Sequence, residues 1–148
     1  MLSNKTLQRG FTLIEVLLSV AIISLIVGIS LPVYRAFQTR NDLDMAAETV
    51  AFALRRAQTY ARGVKEDSQW GVAIQAEALT LFKGSSYASR DTAYDETTEL
   101  SSGIAAGGLS EITFTKVAAL PSVTGTITLS VNNGIETVEI NAKGMVNY

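Results

Sequence analysis

Apolar residues run from Phe11 to Leu31 with one charge among them, Glu15. A helix of about 20 residues rising 1.5 Å per residue spans about 30 Å, the depth of a bilayer's hydrocarbon core. Pro32 closes the run, and Tyr34, Arg35 and Phe37 follow as an interfacial set. Beyond them Leu43, Ala46, Ala47, Val50, Leu54, Ala57 and Ala61 recur at three- and four-residue spacing and mark one helical face. Arg40, Asp44, Glu48, Arg55 and Arg62 fall largely off that face, with no ladder of opposite charges. The pattern predicts one helix from Phe11 to Arg62, bent at Pro32 where the ring removes a backbone hydrogen bond, and stopped at Gly63. Its first half suits lipid or a packed helical core, and its second half suits the face of a folded domain.

After Ser68 the period changes to that of strands. Trp70–Ile74 and Ala78–Lys83 read as a strand pair, and Glu111–Lys116 alternates. Thr126–Val131 and Glu136–Ile140 flank Asn132-Asn133-Gly134, a hairpin signal. A last short strand is expected over Met145–Tyr148. Ser85–Gly108, rich in Ser, Thr, Gly and acid, reads as a long loop with one strand near Tyr94–Leu100. No second helix is available for crossovers, so the strands should pair antiparallel. The fold class is therefore α+β, a long N-terminal helix packed on an antiparallel β-rich head. The expected divisions are a leader over 1–10, a transmembrane helix over 11–31, an amphipathic continuation over 32–63 and the head over 64–148.

The chain has 148 residues, no cysteine and no histidine. Packing alone must hold the head, and the usual general base and zinc ligand are both missing. The formal charge is −2, yet from Trp70 onward Lys83, Arg90, Lys116 and Lys143 face eight acids, a local balance of −4. Such a surface repels a polyanion unless its bases converge.

Residues 1–10 carry Lys5 and Arg9 without an acid, which favours a cytoplasmic N-terminus, although Arg35 and Arg40 stand on the other flank. A conventional secretory signal would cut near Gly28-Ile29-Ser30. The apolar run is long for that purpose, it contains Glu15, and the cut would leave proline second in the mature chain. A plain anchor does not explain Glu15 either, because a carboxylate within a membrane helix costs about 2.5–3.5 kcal/mol on the lenient scale. Thr12-Leu13-Ile14-Glu15 has the spacing of a capping box, which satisfies a backbone donor and leaves the charge. Cleavage after Gly10 would supply a use for that charge. Phe11 would gain an ammonium group one helical turn from Glu15, in the same chain or an adjacent one.

Arg9-Gly10-Phe11-Thr12-Leu13-Ile14-Glu15-Val16 resembles the class III signal of type IV prepilins and type II secretion pseudopilins. The resemblance implies that a prepilin peptidase cuts between Gly10 and Phe11 and methylates the new N-terminus. It implies assembly through Phe11 and Glu15, and places the family's helix-kinking proline at Pro32. The expected partners are the peptidase, other pilin or pseudopilin subunits, an inner-membrane assembly platform driven by a cytoplasmic ATPase, and membrane lipid. The expected location is the bacterial inner membrane, single-pass with the head outside the cytoplasm, and then the filament. Leu54-Arg55-Arg56-Ala57, Thr59–Gly63, the tryptophan strand, Gly125–Ser130 and Ile140–Gly144 are similar to the H-type pseudopilin and its minor-pilin relatives.

Other chemistries find less support. Asp91, Asp95, Glu96 and Glu99 suggest a calcium loop but miss its ligand spacing, so neither metal nor other cofactor is expected. Gly103–Gly107 copies a small-xxx-small motif in a polar region and reads as a flexible turn. Asn4-Lys5-Thr6 forms a sequon within the leader. Minor pilins that capture DNA do so through bases near a C-terminal hairpin, where this chain offers Lys143 beside Glu136 and Glu139. One lysine gives little phosphate affinity, so direct nucleic-acid binding is not expected. The reading is a non-enzymatic structural subunit, a minor pilin or pseudopilin. A DNA-uptake minor pilin and a major pilin are the alternatives.

Overall fold

The computed structural model describes residues 10–148, with the side chains of residues 29–32 outside the description. The leader and the bend expected at Pro32 therefore lie outside the described residues. The chain divides into two compact units, Met1–Phe37 and Gln38–Tyr148.

One α-helix, α1, occupies Leu13–Arg62. It starts two residues later than the pattern predicted and ends where predicted. In the first unit, the described side chains along it are exposed. In the second unit its apolar face is buried: Leu43, Ala46, Ala47, Val50, Leu54, Ala57 and Ala61 are at most 3 % exposed.

The helix stop differs from expectation in one respect. Gly63 N donates to Thr59 O at 2.9 Å, but the residue that turns left-handed is Val64, with φ 52°. A β-branched residue there is costly, and neighbouring contacts hold it. Val117 N donates to Ala61 O at 3.1 Å, and Lys116 Nζ lies 2.7 Å from Asp67 Oδ1. Trp70 Nε1 donates to Lys65 O at 3.0 Å, while Tyr60 and Tyr94 meet the indole edge-on.

The head contains β1 (Trp70–Gln75), β2 (Ala78–Lys83), β3 (Asp91–Glu99), β4 (Ala105–Gly108), β5 (Glu111–Phe114), β6 (Gly125–Val131), β7 (Gly134–Ile140) and β8 (Val146–Asn147). They form two four-stranded sheets, ordered β3-β2-β1-β5 and β4-β6-β7-β8. Every pairing is antiparallel, as the lack of a crossover helix requires.

The strand expected near Tyr94–Leu100 is present and starts earlier, at Asp91, while the rest of Ser85–Gly108 is less of a loop than expected. That stretch holds a 3-10 turn at Tyr87–Ser89, the nine-residue β3 and the short β4. Both strands lie at sheet edges with mostly exposed side chains, so neither carries the apolar alternation by which a strand is recognised. The Gly103–Gly107 motif is likewise no flexible turn, since Ala105–Gly108 pairs with β6. The expected strand ends at 116 and 145–148 contract to Phe114 and Val146–Asn147.

One hydrophobic core joins the helix face to both sheets, drawing Trp70, Val72, Leu79 and Phe114 from one and Ile127, Leu129, Val138 and Ile140 from the other. Small residues set the spacing. A Cβ on Gly134 would stand 2.6 Å from Leu43 Cδ1, so glycine lets the β6–β7 hairpin reach the helix. A Cβ on Gly71 would meet Phe82 Cζ at 2.6 Å and Thr113 Cγ2 at 2.7 Å, so β1 also has no room there.

Candidate functional site: the start of the long helix

Gly10 is exposed and Phe11 is 85 % exposed just ahead of the helix. The capping box predicted from Thr12 and Glu15 is formed in both directions. Glu15 N donates to Thr12 Oγ1 at 3.4 Å, and Thr12 N donates to Glu15 Oε2 at 3.5 Å. Both contacts are long, so they orient the carboxylate and leave much of its hydrogen-bonding capacity unused. Val16 N donates to Thr12 O at 3.2 Å, continuing the ladder. An acid in the first turn also suits the positive end of the helix dipole.

The helix that follows presents Leu13, Ile14, Leu17, Leu18, Ile22, Ile23 and Leu25 outward, each at least half exposed. Among its described side chains, the two serines are turned back on the backbone. Ser19 Oγ donates to Glu15 O and Ser24 Oγ to Val20 O, both at 2.7 Å. The helix thus offers an apolar medium few unsatisfied groups apart from Glu15. Its most apolar 18-residue window has a mean hydropathy of 2.6 and is entirely unburied, long and apolar enough to cross a membrane. Of the four residues expected to act in processing and assembly, Gly10 and Phe11 lie just ahead of the helix and Glu15 lies in its first turn. The side chain of Pro32 is outside the described residues.

The other expected chemistry resolves into structural contacts. The four acids suspected of forming a calcium loop lie on β3, and three of them pair with bases: Lys83–Asp91 at 3.6 Å, Arg90–Asp95 at 2.8 Å and Arg56–Glu96 at 2.7 Å. Among the described residues no group of three His, Cys, Asp or Glu side chains could hold a metal ion. The hydrogen bond to Asp95 raises Arg90 above its ordinary value. Arg56 is raised by its hydrogen bond to Tyr60 and by the charge of Glu96. A groove of about 460 Å³ beside α1 is floored by Leu79 and Leu81, with Met45 and Phe52 on its wall.

The sequence reading of Lys143 as the sole base near the C-terminal hairpin is corrected by the fold. Arg55 and Arg62 of α1 line the same cleft as Lys143. Their seven-residue separation places both arginines on one helix face, but nothing in the sequence places the β7–β8 turn against that face.

The chain matches the family model for the prokaryotic N-terminal methylation motif over residues 5–31. No curated protein and no solved structure shows significant similarity to it. The matched segment contains Gly10, Phe11 and Glu15, stops one residue short of Pro32, and supports a type IV pilin- or pseudopilin-type subunit anchored through an apolar N-terminal helix. The motif implies processing by the prepilin peptidase and assembly with other pilins.

Proposed function

We propose that this chain is a minor pilin or pseudopilin, a non-catalytic subunit that enters a type IV pilus or a type II secretion pseudopilus through its N-terminal helix. One observation carries the reading: the methylation motif is continuous with the exposed apolar first segment of α1, whose single acid, Glu15, lies in the first turn. Cleavage between Gly10 and Phe11 frees an ammonium group at Phe11. Glu15, already at the helix start, pairs with that group in an adjacent subunit and sets the axial register. In an apolar filament core each charge is costly alone and tolerable together, so the pairing favours one stagger over others. The apolar side chains exchange lipid for neighbouring helices, and the head stays outside the bacterial inner membrane. The assembly platform acts on the processed chain from within that membrane. Similarity to the H-type pseudopilin at Leu54–Gly63 and Ile140–Gly144 favours a minor subunit.

Intact mass and N-terminal sequencing of the chain from native membranes test the proposal. A chain beginning at methylated Phe11 is expected. A chain that still begins at Met1 in cells with an active prepilin peptidase would overturn it, as would a start at Leu31.

A further inference from the structure

Between Gln38 and Tyr148 the chain has nine lysines and arginines. Arg56, Lys83, Arg90 and Lys116 are each paired with a carboxylate. Lys65 lies over the rings of Tyr60 and Trp70. Of the remaining four, Arg55, Arg62 and Lys143 converge on a cleft of about 380 Å³ with no acid on its walls. Among the described residues none of these three has a salt bridge. A base in the last turn suits the helix dipole, which accounts for Arg62 but for neither of the others.

Contacts within the chain fix the shape of this cleft. Arg55 donates from a terminal guanidinium nitrogen to Val146 O at 2.9 Å and lies over the Tyr148 ring. Gln58, between the two arginines, donates through Nε2 to Ala119 O at 3.2 Å and Lys143 O at 3.5 Å. The turn between β7 and β8 that carries Lys143 is organised by Asn141, whose Oδ1 accepts from Lys143 N at 2.9 Å and Met145 N at 3.0 Å. Gly144 has φ 77°, and a Cβ there would collide with the Gln58 amide, so the turn lies directly on the helix. Holding three cations around one cleft costs Coulomb energy that an anion recovers, and fixed walls spare that anion the entropy of ordering them.

Arg55 and Arg62 stand two helical turns apart, about 10.5 Å along the axis. Neighbouring acids in a peptide repel and extend it, and in a polyproline-II backbone every third side chain returns to the same side after about 9.3 Å. We propose that the cleft is a docking site for an extended acidic segment of a different protein, with carboxylates three residues apart on the two arginines and Lys143 meeting the segment from across the cleft. The Asn147 amide on the wall suits its peptide groups, and Met145, 56 % exposed, suits an apolar neighbour. Nucleic acid fits less well, because it needs a track of cations and open ring faces for its bases. Arg55 covers the Tyr148 ring, and Tyr148 leads into a second cleft where Asp44, Glu48 and Glu136 would repel the next phosphates. A second copy of this chain fits poorly too. Three of the four acids on β3 are already paired, and Glu136 and Glu139, an odd number apart on β7, point to opposite faces. All the cleft residues belong to the Gln38–Tyr148 unit, so the inference does not rest on the filament reading.

Fluorescence anisotropy of labelled hexaglutamate, titrated with the full-length chain in a non-ionic detergent at physiological ionic strength, tests the site. Saturable binding is expected, with none of labelled hexalysine. Arg62→Gln and Lys143→Gln remove charges without touching the Arg55 and Gln58 contacts that hold the turn, and unchanged melting curves would show that the fold is kept. Each should weaken binding about threefold and the two together about tenfold, the range of exposed charge pairs. Arg40→Gln removes the same charge outside the cleft and should leave the affinity unchanged, because solvent screens it. No binding of hexaglutamate, undiminished binding by the double variant, or an equal loss in Arg40→Gln would overturn the proposal. So would tighter binding of a six-nucleotide oligothymidylate, or displacement of the peptide by inorganic phosphate, since the cleft would then be a phosphate site.

Discussion

Glu15 has two uses that one substitution separates. As a capping residue it needs only an acceptor at N3, and glutamine serves there as glutamate does. As the partner of a Phe11 ammonium it must carry charge. Glu15→Gln is therefore expected to insert in the membrane normally and to lower filament incorporation as severely as Glu15→Ala, by at least about tenfold, since an unpaired buried ion costs several kcal/mol. Pull-down of the variant with sheared filaments measures this, and wild-type incorporation of the glutamine form would reduce Glu15 to a cap. A second residue tests backbone strain. Val117 has φ 69° while its side chain is 65 % exposed, so the left-handed conformation is compensated by little burial. Val117→Asn keeps the N–H that donates to Ala61 O and adopts that conformation readily. It is expected to raise stability by about 1 kcal/mol in thermal or denaturant unfolding.

At the scale of elements, the connection from α1 to β1 is locked by the Lys116–Asp67 pair, which ties the turn after the helix to the segment following β5. The hydrogen bond from Lys116, with its charge, holds the Asp67 carboxyl below its ordinary value of 3.8. The folded state then binds this proton less readily than the unfolded chain, so the contribution is present above about pH 4 and is lost as pH falls through the depressed value. Melting curves of wild type and Asp67→Asn from pH 6 to pH 2 should differ most at the upper end and converge at the lower, with a small gap because the pair is exposed. The sequence disclosed the elements that bury a face. α1 shows it in Leu43 through Ala61, and β1, β2, β6 and β7 show it in alternating Val, Ile and Leu. It showed only the later part of β3, whose Asp91-Thr-Ala-Tyr-Asp-Glu-Thr-Thr-Glu99 lies at an edge and is held by ladder bonds to β2 and by pairs to Lys83, Arg90 and Arg56. Charge at an edge protects a strand from unwanted pairing and makes it read as a loop. The motif around Gly10 and Glu15 was legible because it is contiguous. The Arg55–Arg62–Lys143 cleft was not, because it joins residues 81 positions apart from Arg62 to Lys143.

For the whole molecule, burial shows where folding free energy resides. Every buried hydrophobic residue among those described lies between Leu43 and Val146, and the largest fully buried side chains include Trp70, Phe82, Phe114 and Leu54. The apolar residues from Phe11 to Val27 bury nothing within the chain, so their hydrophobic free energy is left for lipid or for neighbouring helices. Folding and anchoring should therefore be separable. A chain beginning at Gln38 loses the exposed apolar surface and keeps the entire described core, including the Trp70 indole bonded to Lys65 O. It is expected to be soluble, to unfold in one cooperative transition, and to show the blue-shifted emission of a buried tryptophan. Its midpoint should match that of the head transition of the full chain in detergent. A broad transition, or a midpoint lower by more than about 10 °C, a shift that corresponds to roughly 2 kcal/mol for a domain of this size, would show that the first 37 residues contribute to the fold of the head. With the expected result, substitutions such as Glu15→Gln act on assembly alone, because the residue they alter lies outside the core that determines stability.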